Sequence, residues 1–134
     1  MEEGILNKMT NKHYILDENK NLVEVDLMTW ANFFESFENR KVAQETLEDG
    51  TFVSTVFLGL DHNFSDNGPP LIFETMVFSP EEKKVQFGDK ERIFHEDLEQ
   101  SRYSTWEEAM NGHRETVERW KIKTKKQTDE QVKQ

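Results

Sequence analysis

Residues 51–78 run T-F-V-S-T-V-F-L-G-L-D-H-N-F-S-D-N-G-P-P-L-I-F-E-T-M-V-F, two apolar segments on either side of a polar loop. Both segments are rich in β-branched and aromatic residues and are closed by Gly and Pro, so they predict buried strands. The loop holds Asp61, His62, Asn63, Phe64, Asp66 and Gly68. Reactive side chains would gather there, although no motif with a fixed chemistry occurs in it.

Working outward, Asp49-Gly50 stands between extended segments and predicts a hairpin turn, because both residues tolerate positive φ. Residues 40–48 lead into it. Strict alternation in the second apolar segment, residues 71–78, sets Glu74 on one face with Ile72, Met76 and Phe78. Ser79-Pro80-Glu81-Glu82-Lys83 then predicts a turn, and residues 84–87 and 91–94 a further hairpin about Gly88-Asp89. Residues 13–25 predict two short strands around D-E-N-K-N.

Two helices complete the pattern. Asp26 is an N-cap for a helix reaching about Asn39, with Leu27, Trp30, Phe34 and Phe37 at helical spacing and Phe33 beside them. Ser104-Thr105-Trp106-Glu107 fits a capping box. Trp106, Met110, His113, Val117 and Trp120 follow on one helical face, ending near Trp120. Gly112 within that helix implies a close approach by a neighbour. The expected architecture is α+β, an antiparallel sheet of about four to six strands with two amphipathic helices packed on one face. Residues 1–12 are expected to be a flexible segment, residues 13–122 one α+β domain, and residues 123–134 a Lys-rich frayed or disordered tail.

Composition narrows the function classes. A chain of 134 residues suits one domain. The absence of cysteine excludes disulfides, thiolate catalysis and Cys-based zinc sites. No apolar run approaches the roughly 20 residues of a membrane span. The opening M-E-E-G-I-L-N-K is not a secretory signal, so a cytoplasmic location is expected. The formal net charge is -10, and the last 14 residues hold five Lys, leaving a more acidic body. That body repels phosphate, which disfavours direct nucleic-acid binding, and suits either solubility or a basic partner surface.

Three segments together carry a resemblance: S-T-V-F-L-G-L-D-H-N-F at residues 54–64, G-P-P-L-I-F-E-T-M-V-F at 68–78, and R-Y-S-T-W-E-E-A-M-N-G-H at 102–113. The combination resembles a family of small uncharacterised phage and prophage proteins, extending more loosely through the Trp30 helix. Relative to shorter members, residues 83–99 look like an insertion, and the tail is not covered. The resemblance implies a phage-type origin, hence a host-cell cytoplasm, but no mechanism.

The residues that might carry chemistry are Asp61, His62 and Asp66, with Glu74 and His113 brought in by folding. Carboxylates and imidazoles suit a divalent metal, and His62 beside Asp61 suits a general base. The simpler reading is an Asx-turn at Asp61 or Asn63 with His62 facing water. Glu74 among large apolar groups requires a hydrogen bond, a cation such as Arg40, Arg102 or His113, or a proton. His113 between Met110 and Val117 reads first as a core histidine, and Trp30, Trp106 and Trp120 read first as core aromatics. Phosphate-loop, nucleophile-elbow and zincin signatures are absent from the sequence.

The expectation is a non-enzymatic phage-type accessory protein that binds a host protein, in counter-defence or host takeover, with no cofactor or metal. Its binding residues would be drawn from Asp61, His62, Asn63, Phe64, Asp66, Glu74, Trp106 and His113. A homodimer is compatible with this. The alternative is a small-ligand protein or minor enzyme with a pocket around Glu74, His62 and His113, and an acidic DNA mimic is third.

Overall fold

The computed structural model describes residues 12–65 and 67–132. Strands β1 (His13–Leu16) and β2 (Leu22–Val25) form a two-stranded antiparallel sheet. Its turn is tied by Asp17, whose Oδ1 accepts from the amides of Asn19 and Asn21 at 2.9 Å. Helices α1 (Leu27–Phe34) and α2 (Phe37–Arg40) follow. The main sheet has the order β3 (Lys41–Thr46), β4 (Phe52–Phe57), β5 (Phe73–Phe87) and β6 (Lys90–Tyr103), antiparallel throughout. Helix α3 (Trp106–Val132) packs across its strands. The fold class is α+β, as expected. Among the described residues no helix is long and apolar enough to cross a membrane.

Local chemistry explains these boundaries. Asp26 caps α1 by accepting from the Thr29 amide at 2.8 Å. That helix stops at Phe34 rather than near Asn39, because Ser36 adopts extended backbone and a new single turn begins at Phe37. Asn39 still serves the helix end, its Nδ2 donating to the Phe33 carbonyl at 2.8 Å. The break turns Phe37 outward, while Trp30, Phe33 and Phe34 face inward. Between β3 and β4, Gly50 at φ +96° closes a three-residue loop, with Leu47 and Thr51 hydrogen-bonded across it.

The predicted turn at residues 79–83 is not there. Strand β5 continues through it, with a register break between Phe78 and Glu82. Pro80 has no amide to donate, and an irregularity in the ladder accommodates it without ending the strand. The expected hairpin about Gly88 and Asp89 then becomes the far end of a ribbon. β4 pairs with β5 only over residues 73–78, so residues 79–96 project beyond the sheet as two strands.

The cap of α3 lies one residue later than Ser104. The Glu108 amide donates to Thr105 Oγ1 at 3.1 Å, and that hydroxyl donates to Glu108 Oε1 at 3.0 Å. Thr105-Trp106-Glu107-Glu108 satisfies the same cap pattern and wins the competition. The helix continues past Trp120 to Val132, over residues read from sequence as a frayed tail; Lys, Gln and Glu are good helix formers. Gly112 is needed for contact, since a Cβ there would lie 2.3 Å from the Tyr103 ring. The flexible segment expected at residues 1–12 falls, up to residue 11, outside the described residues.

Alternation along the strands sends Val53, Thr55, Phe57, Phe73, Thr75 and Val77 toward α3. Two apolar clusters result. Leu16, Phe57, Ile72, Phe73 and Ala109 form one, and Leu47, Val53, Val77, Val117 and Trp120 the other. Fully burying each large side chain contributes about 1.5–3 kcal/mol. A polar layer of Thr55, Thr75 and His113 separates the clusters.

Candidate functional site

The loop after β4 is built by its own side chains. Asp61 Oδ1 accepts from the Asn63 amide at 2.7 Å and the Leu71 amide at 2.9 Å, joining the two ends of the loop. Asn63 Nδ2 donates to the carbonyls of Asn67 and Pro69 at 3.0 and 2.9 Å. Gly59, at φ +75°, introduces this loop where a Cβ would lie 2.2 Å from the Phe34 ring. Asp61 and Asn63 are thus occupied in shaping backbone. His62 is half-buried beside Phe64, with ring centroids 6.1 Å apart, and Phe64 is 79% exposed. Asp66 lies outside the described residues.

Glu74 faces away from this loop and from His113. Its Oε2 accepts from Arg102 Nε at 2.9 Å and Gln100 Nε2 at 2.6 Å. Of the three cations considered from sequence, Arg102 is the one that pairs with it. The adjacent Thr75 points to the opposite face, toward His113. The Glu74 side chain is 11% exposed and that of Arg102 34%, so a shielded carboxylate is held by a partly solvated guanidinium.

His113 belongs to the core. Its Nδ1 lies 2.7 Å from Thr55 Oγ1, which lies 2.5 Å from Thr75 Oγ1. Burial pushes the imidazole below its ordinary range, with Glu45 acting in the opposite sense. Trp106 is half-buried, edge-on to Phe73 at 6.2 Å, with Lys20 Nζ 4.9 Å above its ring. The residues nominated from sequence therefore divide among a self-shaped loop, the helix-facing core and the opposite sheet face. Glu74 and His113 do not converge on one cavity. Among the described residues no group of three or more His, Cys, Asp or Glu has metal-holding geometry.

The structure forms a different concavity, which sequence reasoning missed. Gly50, Phe52, Phe78, Ser79, Phe94 and His95 line a predominantly apolar groove of about 460 Å³ at the base of the projecting ribbon. Phe52 and Phe78 are register partners, stacked with centroids 6.3 Å apart. His95 Nδ1 donates to the Ser79 carbonyl at 2.8 Å, bridging the irregular segment of the ladder. Beyond the groove the ribbon exposes Phe87 and Ile93, and Leu98 is exposed where β6 rejoins the sheet. No local signal in the sequence marks it, because residues 79–97 are mostly charged and hold only Val85, Phe87, Ile93 and Phe94 as apolar side chains.

A second, more polar cleft of about 710 Å³ lies between the turn joining β3 to β4 and helix α3. It is lined by mixed charges, including Glu45, Glu48, Lys121 and Lys125, and Lys121 Nζ lies 3.6 Å from Glu45. No protein-family model, curated protein or solved structure matches this chain.

Proposed function

We propose that this chain is a phage-type accessory protein that acts by binding a host protein, without catalysis, in the host-cell cytoplasm. The observation that carries the reading is the aromatic groove of Phe52, Phe78 and Phe94, with exposed Phe87 farther out on the ribbon on the same face as Phe94. A two-stranded ribbon is marginal in water on its own, and exposed apolar groups along it gain most when a partner covers them. The exposed Phe64, on a loop already shaped by Asp61 and Asn63, supplies a second pre-ordered contact.

The small-ligand alternative needed Glu74, His62 and His113 around one pocket, and their division between faces weighs against it. The test is quantitative binding of the host partner by wild type and by Phe94→Ser, a substitution at a partly exposed position. The reading predicts loss of the complex with the fold unchanged. A complex that persists in Phe94→Ser contradicts it.

A further inference from the structure

The groove has an acidic rim. Asp97 is the cross-strand partner of Phe78, and Glu82 that of His95, so each carboxylate stands on the same face as a lining residue. Asp49 precedes Gly50, and Glu81 follows Pro80, whose Cβ lies 3.0 Å from where a Gly50 Cβ would stand. Among the described residues Asp97 and Glu82 form no ion pair. The cations that follow along β5 are already engaged, Lys83 with Glu96 at 2.9 Å and Lys84 with Glu91 at 3.6 Å. Because the Ser79 carbonyl only accepts, His95 Nδ1 donates the proton of that hydrogen bond.

We propose that the groove receives an aromatic or large aliphatic side chain of the partner protein, flanked in the partner's chain by Lys or Arg. The inference rests on the binding reading above and specifies its chemistry. The aromatic floor accepts an apolar anchor, and a charged one would be desolvated there without a partner. The rim attracts flanking cations, and the net charge of -10 favours approach of a basic segment to the protein as a whole. An acidic segment would set its carboxylates against Asp97 and Glu82.

The experiment is a titration of ¹⁵N-labelled protein with three synthetic peptides, followed by amide chemical shifts. One carries Phe between Lys and Arg residues, the second has Ala in place of Phe, and the third has Phe between Glu residues. The expected result is saturable shifts at Gly50, Phe52, Ser79 and His95 with the basic Phe peptide alone, weakened by salt. The exposed double variant Glu82→Lys/Asp97→Lys, checked for an unchanged fold by its spectrum, should lower that affinity about tenfold. Equal or tighter binding of the Glu-flanked peptide overturns the charge inference while leaving the groove a binding site. Failure of all three peptides to shift groove amides at millimolar concentration overturns the inference, and host binding by Phe94→Ser then decides the broader reading separately. The chain's own ribbon tip pairs Phe87 with Lys90. A concentration-dependent dimer that disappears in Phe87→Ser would overturn the proposal in favour of a second copy as occupant.

Discussion

His113 and Thr55 are joined by a 2.7 Å hydrogen bond between Nδ1 and Oγ1, at the centre of the interface between helix α3 and the sheet. When the imidazole is neutral and accepts at Nδ1, Thr55 donates to it and Thr75 donates to Thr55. A proton on Nδ1 reverses the first of these bonds and places a charge between two apolar clusters. The histidine read first from sequence as a core residue is therefore a buried link between sheet and helix, and its protonation is a stability variable.

The pH dependence follows from the direction of the shift. Burial lowers the His113 pKa, so the unfolded chain binds that proton more readily. Its contribution is fully present above the unfolded value of about 6.5 and is lost as pH falls through that value toward the folded one. Urea denaturation from about pH 8 to about pH 5 should show declining stability in wild type and a flatter profile in His113→Gln. Equal slopes would remove His113 from the account.

Thr55 contacts both Thr75 and His113, whereas Thr75 reaches His113 only through it. Thr55→Val should therefore cost more than Thr75→Val, about 2–3 against about 1 kcal/mol, because it leaves two buried groups without their partner. Chemical denaturation of both variants and the double variant measures this. The double variant should cost less than the sum of the two singles, since the network fails as a unit.

Gly112→Ala tests close packing against helix propensity. Propensity alone predicts a gain of about 1 kcal/mol. The Tyr103 ring, 2.3 Å from the new Cβ, opposes it. The expected outcome is a net loss of about 1–3 kcal/mol, read as a lower melting temperature. A rise would mean that Tyr103 swings aside at no cost.

Asp61→Ala should loosen the loop while the sheet stays intact. The Asn63 and Leu71 amides both lose their acceptor, so their hydrogen exchange should accelerate, with a global cost of about 1–2 kcal/mol. Phe64→Ala, at an exposed position, should leave stability within about 0.5 kcal/mol of wild type. Together the two variants separate the frame of the loop from the side chain it displays.

The elements legible in the sequence are those with a period or a fixed turn chemistry. The helical spacing from Trp106 to Trp120, the Asp49-Gly50 turn and the alternation that isolates Glu74 all depend on residues close together in the chain. The ribbon was hidden because Pro80 reads as a stop, and only the register with β6 shows that the ladder resumes at Glu82. The groove was hidden for a related reason. Its lining comes from segments around Phe52, Phe78 and Phe94 that meet only through strand pairing. Polar residues at the Asp61 loop drew attention because Asp, His and Asn are the usual ligands and bases. The same side chains are also the usual loop builders, and Asp61 and Asn63 act here in that second capacity.

The most direct measurement is native mass spectrometry of the tagged protein with its host partner, comparing wild type, Phe94→Ser and Ile122→Ser. Ile122 is exposed on helix α3, outside the residues that line the groove, and serves as the control for a general loss of apolar surface. The predicted result is a stoichiometric protein complex for wild type and Ile122→Ser that is absent for Phe94→Ser. An undiminished complex with Phe94→Ser, or an added mass of a few hundred daltons in place of a protein, would contradict the account.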